Sequence, residues 1–253
     1  MASLRVLVVA GRDSTGGSGL DADSEALRAF GVEPLLVCTA ETVQGPDGLI
    51  ELGARPVGDW SAEAREHLDA GVHAIKFGLL PGPESIEAAA ELAQSAPGLP
   101  VVLDPVLGPS AGGQFLDDAG VAVLLESLPR LRAHLTPNLD EAARLLRLGA
   151  EPQTRDDREA AARELHARGA PAVLLTGGHG HEDPLLDLWF SRADGARWIE
   201  RRREPGPGIR GSGCRLASAL AAGLARGRNP IQAAKEAGDW VAQRIRQAQR
   251  QTP

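Results

Sequence analysis

The sequence is poor in the residues on which several classes of protein depend. Its 253 residues include no Tyr, one Met and two Cys. Cys38 and Cys214 alone cannot form the disulfide framework of a small secreted domain. No apolar run approaches the roughly 20 residues that span a bilayer, and the run near Met1 is too short for a signal peptide. These absences predict a cytoplasmic protein without a membrane segment.

Positive charge is also scarce. Lys and Arg total 27 against 34 Asp and Glu, which gives a net charge of −7. The nearest approach to a basic cluster is Arg201, Arg202 and Arg203, and Glu204 follows it directly. A protein that binds a phosphate backbone concentrates positive charge on one face. Nucleic acid is therefore not expected as a ligand.

Short apolar runs alternate with segments of helical periodicity along the chain. Runs that are apolar on both faces and separated by helices are typical of parallel strands buried between two helical layers. Two later runs, 185–190 and 196–202, flank turn residues and predict an antiparallel hairpin. The sequence thus predicts an α/β fold: one doubly wound, three-layer αβα domain over residues 1–253, mostly parallel, with a late antiparallel hairpin.

The boundaries of these elements follow from the same pattern. The parallel strands are predicted at 6–10, 35–39, 73–77, 100–104, 133–136 and 172–176. The helices are predicted at 22–30, 61–70, 85–95, 139–148, 156–168, 213–225 and 230–249. Ligands of such sheets bind beyond the carboxyl ends of the strands, so the residues after each strand are the candidates for function.

Two of the predicted loops suit a small ligand. The loop 11–19 (GRDSTGGSG) contains four glycines, but it matches neither the dinucleotide fingerprint nor the Walker A motif. Glycines allow a ligand to approach the backbone closely, although an ordinary flexible turn has the same composition. Gln44 follows the second strand, and its amide offers a donor and an acceptor that match the edge of an aminopyrimidine. A solvated Gln44 is the alternative.

A carboxylate ends the strand predicted at 100–104, and another follows the strand predicted at 133–136. Asp104 at the end of a buried strand is costly unless it meets water, a metal or a donor. Asn138 and Glu141 have the spacing of a helix N-cap and its capping-box partner, which alone would explain both. The alternative is that Glu141 holds a hydrated Mg²⁺ over phosphates, because Mg²⁺ is commonly bound by one or two carboxylates together with substrate phosphates.

The segment Gly211, Ser212, Gly213 and Cys214 precedes a predicted helix. Successive N–H groups at a helix start bind anions, and the helix dipole strengthens the site. A thiol at that position is expected to have its pKa lowered toward neutrality. Cys214 would then act as a base toward a substrate hydroxyl. The alternative is that Cys214 is a small buried hydrophobic residue.

Taken in order, these motifs resemble one family. The chain resembles the ribokinase-like small-molecule kinases, and within them the hydroxymethylpyrimidine/phosphomethylpyrimidine kinases, over nearly its whole length. Ile209 and Arg210 depart from the usual Thr-His of the family, and Thr176 replaces its usual Lys. The matching segments are 10–19 with Asp23, 39–44 (TAETVQ), 76–80 (KFGLL), 104–106 (DPV), 136–141 (TPNLDE), 177–179 (GGH) and 211–214 (GSGC).

The resemblance implies ATP- and Mg²⁺-dependent phosphorylation of 4-amino-5-hydroxymethyl-2-methylpyrimidine and then of its monophosphate, by a homodimer. A pyridoxal-type kinase and a non-catalytic pyrimidine-binding protein of the same fold stay open as alternatives. The implied residues are Gly211, Ser212, Gly213 and Cys214 for catalysis; Gly11, Asp23, Gln44, Leu79 and Val106 for the pyrimidine; Asn138, Thr176, Gly178 and Arg210 for the nucleotide; and Asp104 and Glu141 for the metal.

Overall fold

The computed structural model describes residues 3–45, 48–109, 113–178, 182–206 and 208–251. These residues form one nine-stranded sheet in the order β3-β2-β1-β4-β5-β6-β7-β8-β9. The strands are β1 (Arg5–Asp13), β2 (Glu33–Gly45), β3 (Gly48–Ala54), β4 (Ala74–Phe77), β5 (Val101–Leu103), β6 (His134–Leu135), β7 (Ala172–Leu175), β8 (Leu185–Ser191) and β9 (Gly195–Arg201).

Eight helices complete the described fold. They are α1 (Gly19–Ala29), α2 (Val57–Asp69), α3 (Pro83–Ser95), α4 (Asp118–Leu131), α5 (Leu139–Leu146), α6 (Arg155–Ala167), α7 (Ser212–Ala225) and α8 (Pro230–Gln251). None of these described helices combines the length and hydropathy that a membrane-spanning helix requires.

The sheet lies between two helical layers, as the sequence predicted. Successive residues of β1 point to opposite faces, so Leu7 and Val9 pack toward α2 to α6, whereas Val6, Val8 and Ala10 pack toward α1, α7 and α8. All five side chains are buried. This burial on both faces explains why the parallel strands are apolar without alternation.

The six strands from β2 to β7 in the sheet order are parallel to one another, whereas β3, β8 and β9 pair antiparallel. β1 lies between β2 and β4, so the chain winds away from β1 in both directions. This arrangement opens a crevice at the carboxyl ends of β1 and β4, where ligands of doubly wound sheets bind. The predicted hairpin is confirmed as β8 and β9.

Two elements are absent from the sequence prediction. β3 contains two glycines and a glutamate, which have low strand propensity, and it forms by pairing with β2. α4 contains Pro129, which normally argues against a helix interior, but Asp117 caps its start by accepting from the N–H of Gly120 at 2.8 Å. β2 also extends through Gln44, so that residue's backbone lies on a strand rather than in a loop.

Candidate active site

Two loops meet at the carboxyl end of β1. We call residues 11–19 the first glycine loop and residues 211–214 the anion loop. Gly211 is left-handed, with φ of +70°, and a Cβ there would lie 2.8 Å from both the Gly17 oxygen and the Ser18 Cα. Only glycine permits this approach without displacing one of the loops. The two loops therefore pack backbone against backbone.

The anion loop opens helix α7. Gly211 occupies the N-cap position, without a side-chain cap hydrogen bond, and Ser212 is the first residue of the helix. The first N–H groups of a helix have no carbonyl partner within the helix. The N–H groups of Ser212, Gly213 and Cys214 thus stand where a helix N-terminus binds anions. The structure brings together all four residues that the sequence predicted for catalysis.

Arg215 links the two loops, a role that the sequence analysis missed. Its Nη1 donates to the Gly17 oxygen at 3.2 Å and to the Arg210 oxygen at 2.6 Å. Its Nε donates to Glu25 at 2.7 Å. Because Arg215 is nearly buried, these bonds are shielded from water and fix the loops relative to each other. No sequence motif distinguishes Arg215 from the other arginines of the chain.

A buried charge cluster lies beneath the loops. Lys76 on β4 is 0% exposed, and its Nζ lies 2.9 and 3.0 Å from the two carboxylate oxygens of Asp23 on α1. Ser218 on α7 donates to the same carboxylate at 2.8 Å. Although burial lowers the pKa of Lys76, the negative groups around it outweigh that effect and raise the pKa above its usual value. Lys76 is therefore charged at neutral pH.

This cluster corrects the prediction for Asp23. The sequence placed Asp23 among the residues that contact the pyrimidine, but its side chain is 0% exposed. Its oxygens are occupied by Lys76 and Ser218. An acidic side chain of this kind is buried because a fixed cation compensates it. Asp23 holds β4, α1 and α7 together instead of contacting a ligand.

Cys214 lies beside this cluster, close enough to the Asp104 carboxylate for each group to affect the pKa of the other. Burial raises the pKa of the Cys214 thiol above its ordinary value of 9.0, and Asp104 raises it further, whereas Lys76 and the Gly19 N–H oppose the shift. The expectation that this pKa is lowered toward neutrality is wrong. The field of the α7 N-terminus does not outweigh desolvation and a neighbouring carboxylate.

Asp104 and Glu141 form the candidate metal site. The Asn138 side chain accepts from the Glu141 N–H at 2.8 Å, and Glu141 accepts from the Asn138 N–H at 2.9 Å, so the predicted capping box is present. Burial raises the pKa of Glu141 well above its usual value, and the Asp104 carboxylate raises it further. Lys76 Nζ lies 3.9 Å from Asp104 Oδ2 but is shared with Asp23, so a cation held by Asp104 and Glu141 would compensate the negative charge that remains.

The donor set suits one kind of metal. Among the described residues, no three His, Cys, Asp or Glu side chains converge as a ready-made metal cage. Two carboxylates match Mg²⁺, which binds through one or two carboxylates and completes its shell with phosphates and waters. Asp104 also lies next to the anion loop, because a Cβ at Gly213 would be 3.8 Å from its Oδ1. The residues present therefore fit Mg²⁺.

An apolar cluster lies on the β2 side of the crevice. It contains Leu79 and Val106, both predicted to contact the pyrimidine, together with Phe115. Gly11 belongs to the same region, since a Cβ there would lie 2.6 Å from Leu79 Cδ2. Phe115 is a residue that the sequence analysis missed, because one aromatic in a segment without periodicity carries no signal. The Gln44 side chain and His179 lie outside the described residues.

The predicted nucleotide residues fall in two places. The backbones of Asn138 and Thr176 pair as an isolated parallel β-bridge, and the Thr176 N–H donates to the Pro137 oxygen at 2.9 Å. Gly178 follows two residues later and is exposed. Arg210 contacts a different part of the site, because its Nη2 donates to Asp13 Oδ2 at 2.7 Å. The structure thus connects Arg210 with the first glycine loop.

Comparison with known proteins identifies similar chains. A family model described as phosphomethylpyrimidine kinase matches residues 13–252. A hydroxymethylpyrimidine/phosphomethylpyrimidine kinase of Streptomyces coelicolor is 36% identical over 237 residues, which cover 93% of this chain and 86% of that protein. The thiamine biosynthesis bifunctional protein ThiED of Geobacter sulfurreducens is 35% identical over 249 residues, which cover 96% of this chain and 49% of that longer protein.

A solved structure is similar in fold as well. Pyridoxal kinase from Staphylococcus aureus, in complex with AMP-PCP and pyridoxal, superposes with a TM-score of 0.86 at 27% identity. The match covers 97% of this chain and 88% of that chain. These similarities confirm the ribokinase-like fold and favour an enzyme over the non-catalytic binding protein that the sequence left open.

Proposed function

This chain belongs to the phosphomethylpyrimidine kinase family, and from that membership we propose how its site transfers a phosphoryl group. It is a phosphotransferase of the hydroxymethylpyrimidine/phosphomethylpyrimidine kinase type, which acts in thiamine biosynthesis. ATP is the phosphoryl donor, consistent with the AMP-PCP complex of the pyridoxal kinase. The acceptor is the hydroxymethyl group of 4-amino-5-hydroxymethyl-2-methylpyrimidine and then the phosphate of the product.

The contact between the first glycine loop and the anion loop is the observation that carries this proposal. It places the N–H groups of the anion loop beside the loop that follows β1, at the point where the winding of the sheet reverses. Phosphoryl transfer depends mainly on positioning and on stabilising charge on the transferred group. N–H groups fixed at a helix start supply both at the oxygens of that group.

The pyrimidine ring would lie against Leu79, Val106 and Phe115, an apolar surface that suits an aromatic ring. Gln44 would pair with the amino group and ring nitrogen, because its amide presents a donor and an acceptor in one plane. Gly11 would let Leu79 pack directly against the loop backbone, because a Cβ at Gly11 would lie 2.6 Å from Leu79 Cδ2. These contacts orient the hydroxymethyl group toward the anion loop.

Cys214 would accept the proton of the acceptor hydroxyl at Sγ. Because its pKa is raised, the thiolate that does so is a minor form at neutral pH. In a loose transition state the hydroxyl needs little deprotonation before the phosphoryl group moves, so a minor thiolate suffices. The rate should therefore increase with pH as the thiolate fraction increases.

Mg²⁺, when bound, would neutralise part of the charge on the phosphates. Asp104 and Glu141 would hold it, while Asn138, Thr176 and Gly178 would contact the nucleotide. The Asn138 backbone N–H donates to the Glu141 carboxylate in the capping box, so the Glu141 side chain would serve both the helix and the metal.

Pyridoxal is a second candidate acceptor, because the Staphylococcus aureus pyridoxal kinase shares the fold at a TM-score of 0.86. Pyridoxal also carries a hydroxymethyl group on an aromatic nitrogen ring. The two candidates differ at the ring edge, since only the pyrimidine has the amino group with which Gln44 would pair. Substituting Gln44 should therefore weaken pyrimidine turnover more than pyridoxal turnover.

The test is ADP formation by the purified chain with the pyrimidine alcohol and, separately, with its monophosphate. Phosphorus NMR of the products shows which oxygen was phosphorylated. The proposal predicts ADP release with both acceptors and the appearance of a diphosphate. Release with the alcohol alone would limit the chain to the first step, and release with neither would refute the proposed function.

Three further expectations stay predictions: a single kinase domain over residues 1–253, a homodimer, and a cytoplasmic location. Size-exclusion chromatography with light scattering tests the second. A mass near twice 26.5 kDa supports the dimer, whereas a mass near 26.5 kDa contradicts it.

A further inference from the structure

The second phosphorylation requires something of the site that the first does not. Its acceptor is a phosphate monoester, which carries about two negative charges near pH 7. That group must approach the terminal phosphate of ATP, and like charges repel strongly in a site that excludes water. A cation at the acceptor phosphate is therefore needed in the second reaction and not in the first.

Two cations near the loops are already committed to other groups. Lys76 is 0% exposed and is bound to both oxygens of Asp23. Arg215 is nearly buried and holds Glu25 and two loop carbonyls. The side chain of Arg210 differs from both, because it is 47% exposed. Its guanidinium can be reached by a ligand in the crevice.

Arg210 lies where the acceptor and the transferred group must meet. It directly precedes Gly211, and its carbonyl oxygen is fixed by Arg215 at 2.6 Å. Its side chain extends over Gly17, with Nε 3.4 Å from the position of a Cβ there. The guanidinium thus connects the anion loop with the first glycine loop. Under the proposed function these loops hold the phosphoryl group and the acceptor.

The ion pair of Arg210 with Asp13 can open without leaving the carboxylate unsatisfied. Asp13 also accepts from the Thr15 N–H at 3.1 Å, the Thr15 hydroxyl at 3.0 Å and the Ser18 hydroxyl at 2.8 Å. Its carboxylate therefore stays hydrogen-bonded when the guanidinium moves. An ion pair with one half-exposed partner contributes little to stability. The larger charge of a phosphate dianion thus favours it over the Asp13 carboxylate as the partner of Arg210, and the exchange costs the fold little stability.

We propose that Arg210 binds the phosphate of the monophosphate acceptor and is the residue that adapts this site to the second phosphorylation. This inference rests on the proposed function. The planar guanidinium matches two phosphate oxygens at once. An oxygen of that phosphate forms a bond to the terminal phosphorus of ATP as the bond to ADP breaks, so the products are the diphosphate and ADP. This role differs from the nucleotide contact that the resemblance implies for Arg210.

The test compares the two acceptors in the variants Arg210→Gln and Arg210→Lys. The matched control is Arg226→Gln, which removes an arginine at the opposite end of α7. Loss of one charge-assisted contact predicts a fall of about 10- to 100-fold in kcat/KM for the monophosphate in Arg210→Gln. The kcat/KM for the alcohol should change by less than about threefold, since the alcohol carries no charge for Arg210 to bind.

Arg210→Lys keeps the positive charge but not the planar guanidinium that binds two oxygens at once, so it should recover part of the activity with the monophosphate. Arg226→Gln should leave kcat/KM unchanged with both acceptors. An equal fall of kcat/KM with both acceptors in Arg210→Gln would show that Arg210 binds the nucleotide or supports the loop structure. No change for either acceptor would remove it from the site. Both results overturn the inference.

Calorimetric titration without nucleotide separates this inference from the proposed function. Wild-type protein should bind the monophosphate more tightly than the alcohol, and Arg210→Gln should abolish that difference. If the wild type turns over neither acceptor, the proposed function fails while this measurement still decides the role of Arg210. Equal affinity of the wild type for the two ligands would contradict the inference.

Discussion

Replacing Lys76 with methionine removes the cation from a pair of buried charges. Lys76 and Asp23 are both 0% exposed, and two contacts of 2.9 and 3.0 Å join them. The variant leaves Asp23 with only the Ser218 hydroxyl as a partner among these contacts. Removing one member of a buried ion pair costs about 3–5 kcal/mol, because the other charge stays buried without compensation.

The assay is thermal unfolding followed by tryptophan fluorescence, since Trp60 and Trp189 are buried and report on the core. For a chain of this size, that cost corresponds to a decrease of about 6–20 °C in Tm. Lys235→Met is the matched control. Lys235 is the other lysine of the sequence, and its ion pair with Asp239 is exposed, so its loss should cost about 0.5 kcal/mol or less.

The double variant Lys76→Met/Asp23→Asn tests the physical reason. Asparagine removes the uncompensated charge and still accepts from Ser218, so at least half of the lost Tm should return. If Lys76→Met unfolds no earlier than Lys235→Met, the pair does not carry buried charge and the reasoning is refuted. A double variant as unstable as the single one would show that shape, and not charge, causes the loss.

Four further predictions concern the site. Cys214→Ser should keep its Tm and lose about 10²- to 10⁴-fold in kcat, with partial recovery in Cys214→Asp; a loss of less than about threefold would show that the thiol only packs. Because the pKa of Cys214 is raised, kcat/KM of the wild type should still increase between pH 7 and 9, whereas a plateau from pH 7 would contradict the raised value. Glu141→Gln keeps a capping partner, so its Tm should change little while its turnover and Mg²⁺ dependence fall; normal turnover would assign Glu141 to the helix alone. Gln44→Ala should weaken pyrimidine binding by about 1–3 kcal/mol in steady-state KM, and unchanged KM for both acceptors would remove Gln44 from the site.

Sequence pattern alone predicted the parallel sheet and its layers. Strands buried on both faces leave a continuous apolar run, and residues 6–10 of β1 are all apolar for that reason. β3 was not predictable in the same way. Its glycines give no local preference for a strand, and it exists because the end of β2 offers a partner. Pairing between distant segments overrides local propensity there.

The site was predictable as a set of loops but not as an electrostatic cluster. Position at a strand end pointed to Asp104 and Glu141, and position at a helix start pointed to Cys214; Asp104 affects the pKa of both other groups. The pKa of Cys214 depends on Asp104 and on burial, and neither is visible along the chain. The same limit applies to Asp23, whose partner Lys76 is 53 residues away.

A competition experiment shows which acceptor the chain prefers. Equimolar 4-amino-5-hydroxymethyl-2-methylpyrimidine and pyridoxal are incubated with the chain and limiting ATP, and the phosphorylated products are quantified by mass spectrometry. The product ratio equals the ratio of the two kcat/KM values. We expect that phosphorylated pyrimidine predominates and that Gln44→Ala reduces this preference. Predominance of pyridoxal phosphate, or no consumption of ATP with either compound, would contradict it.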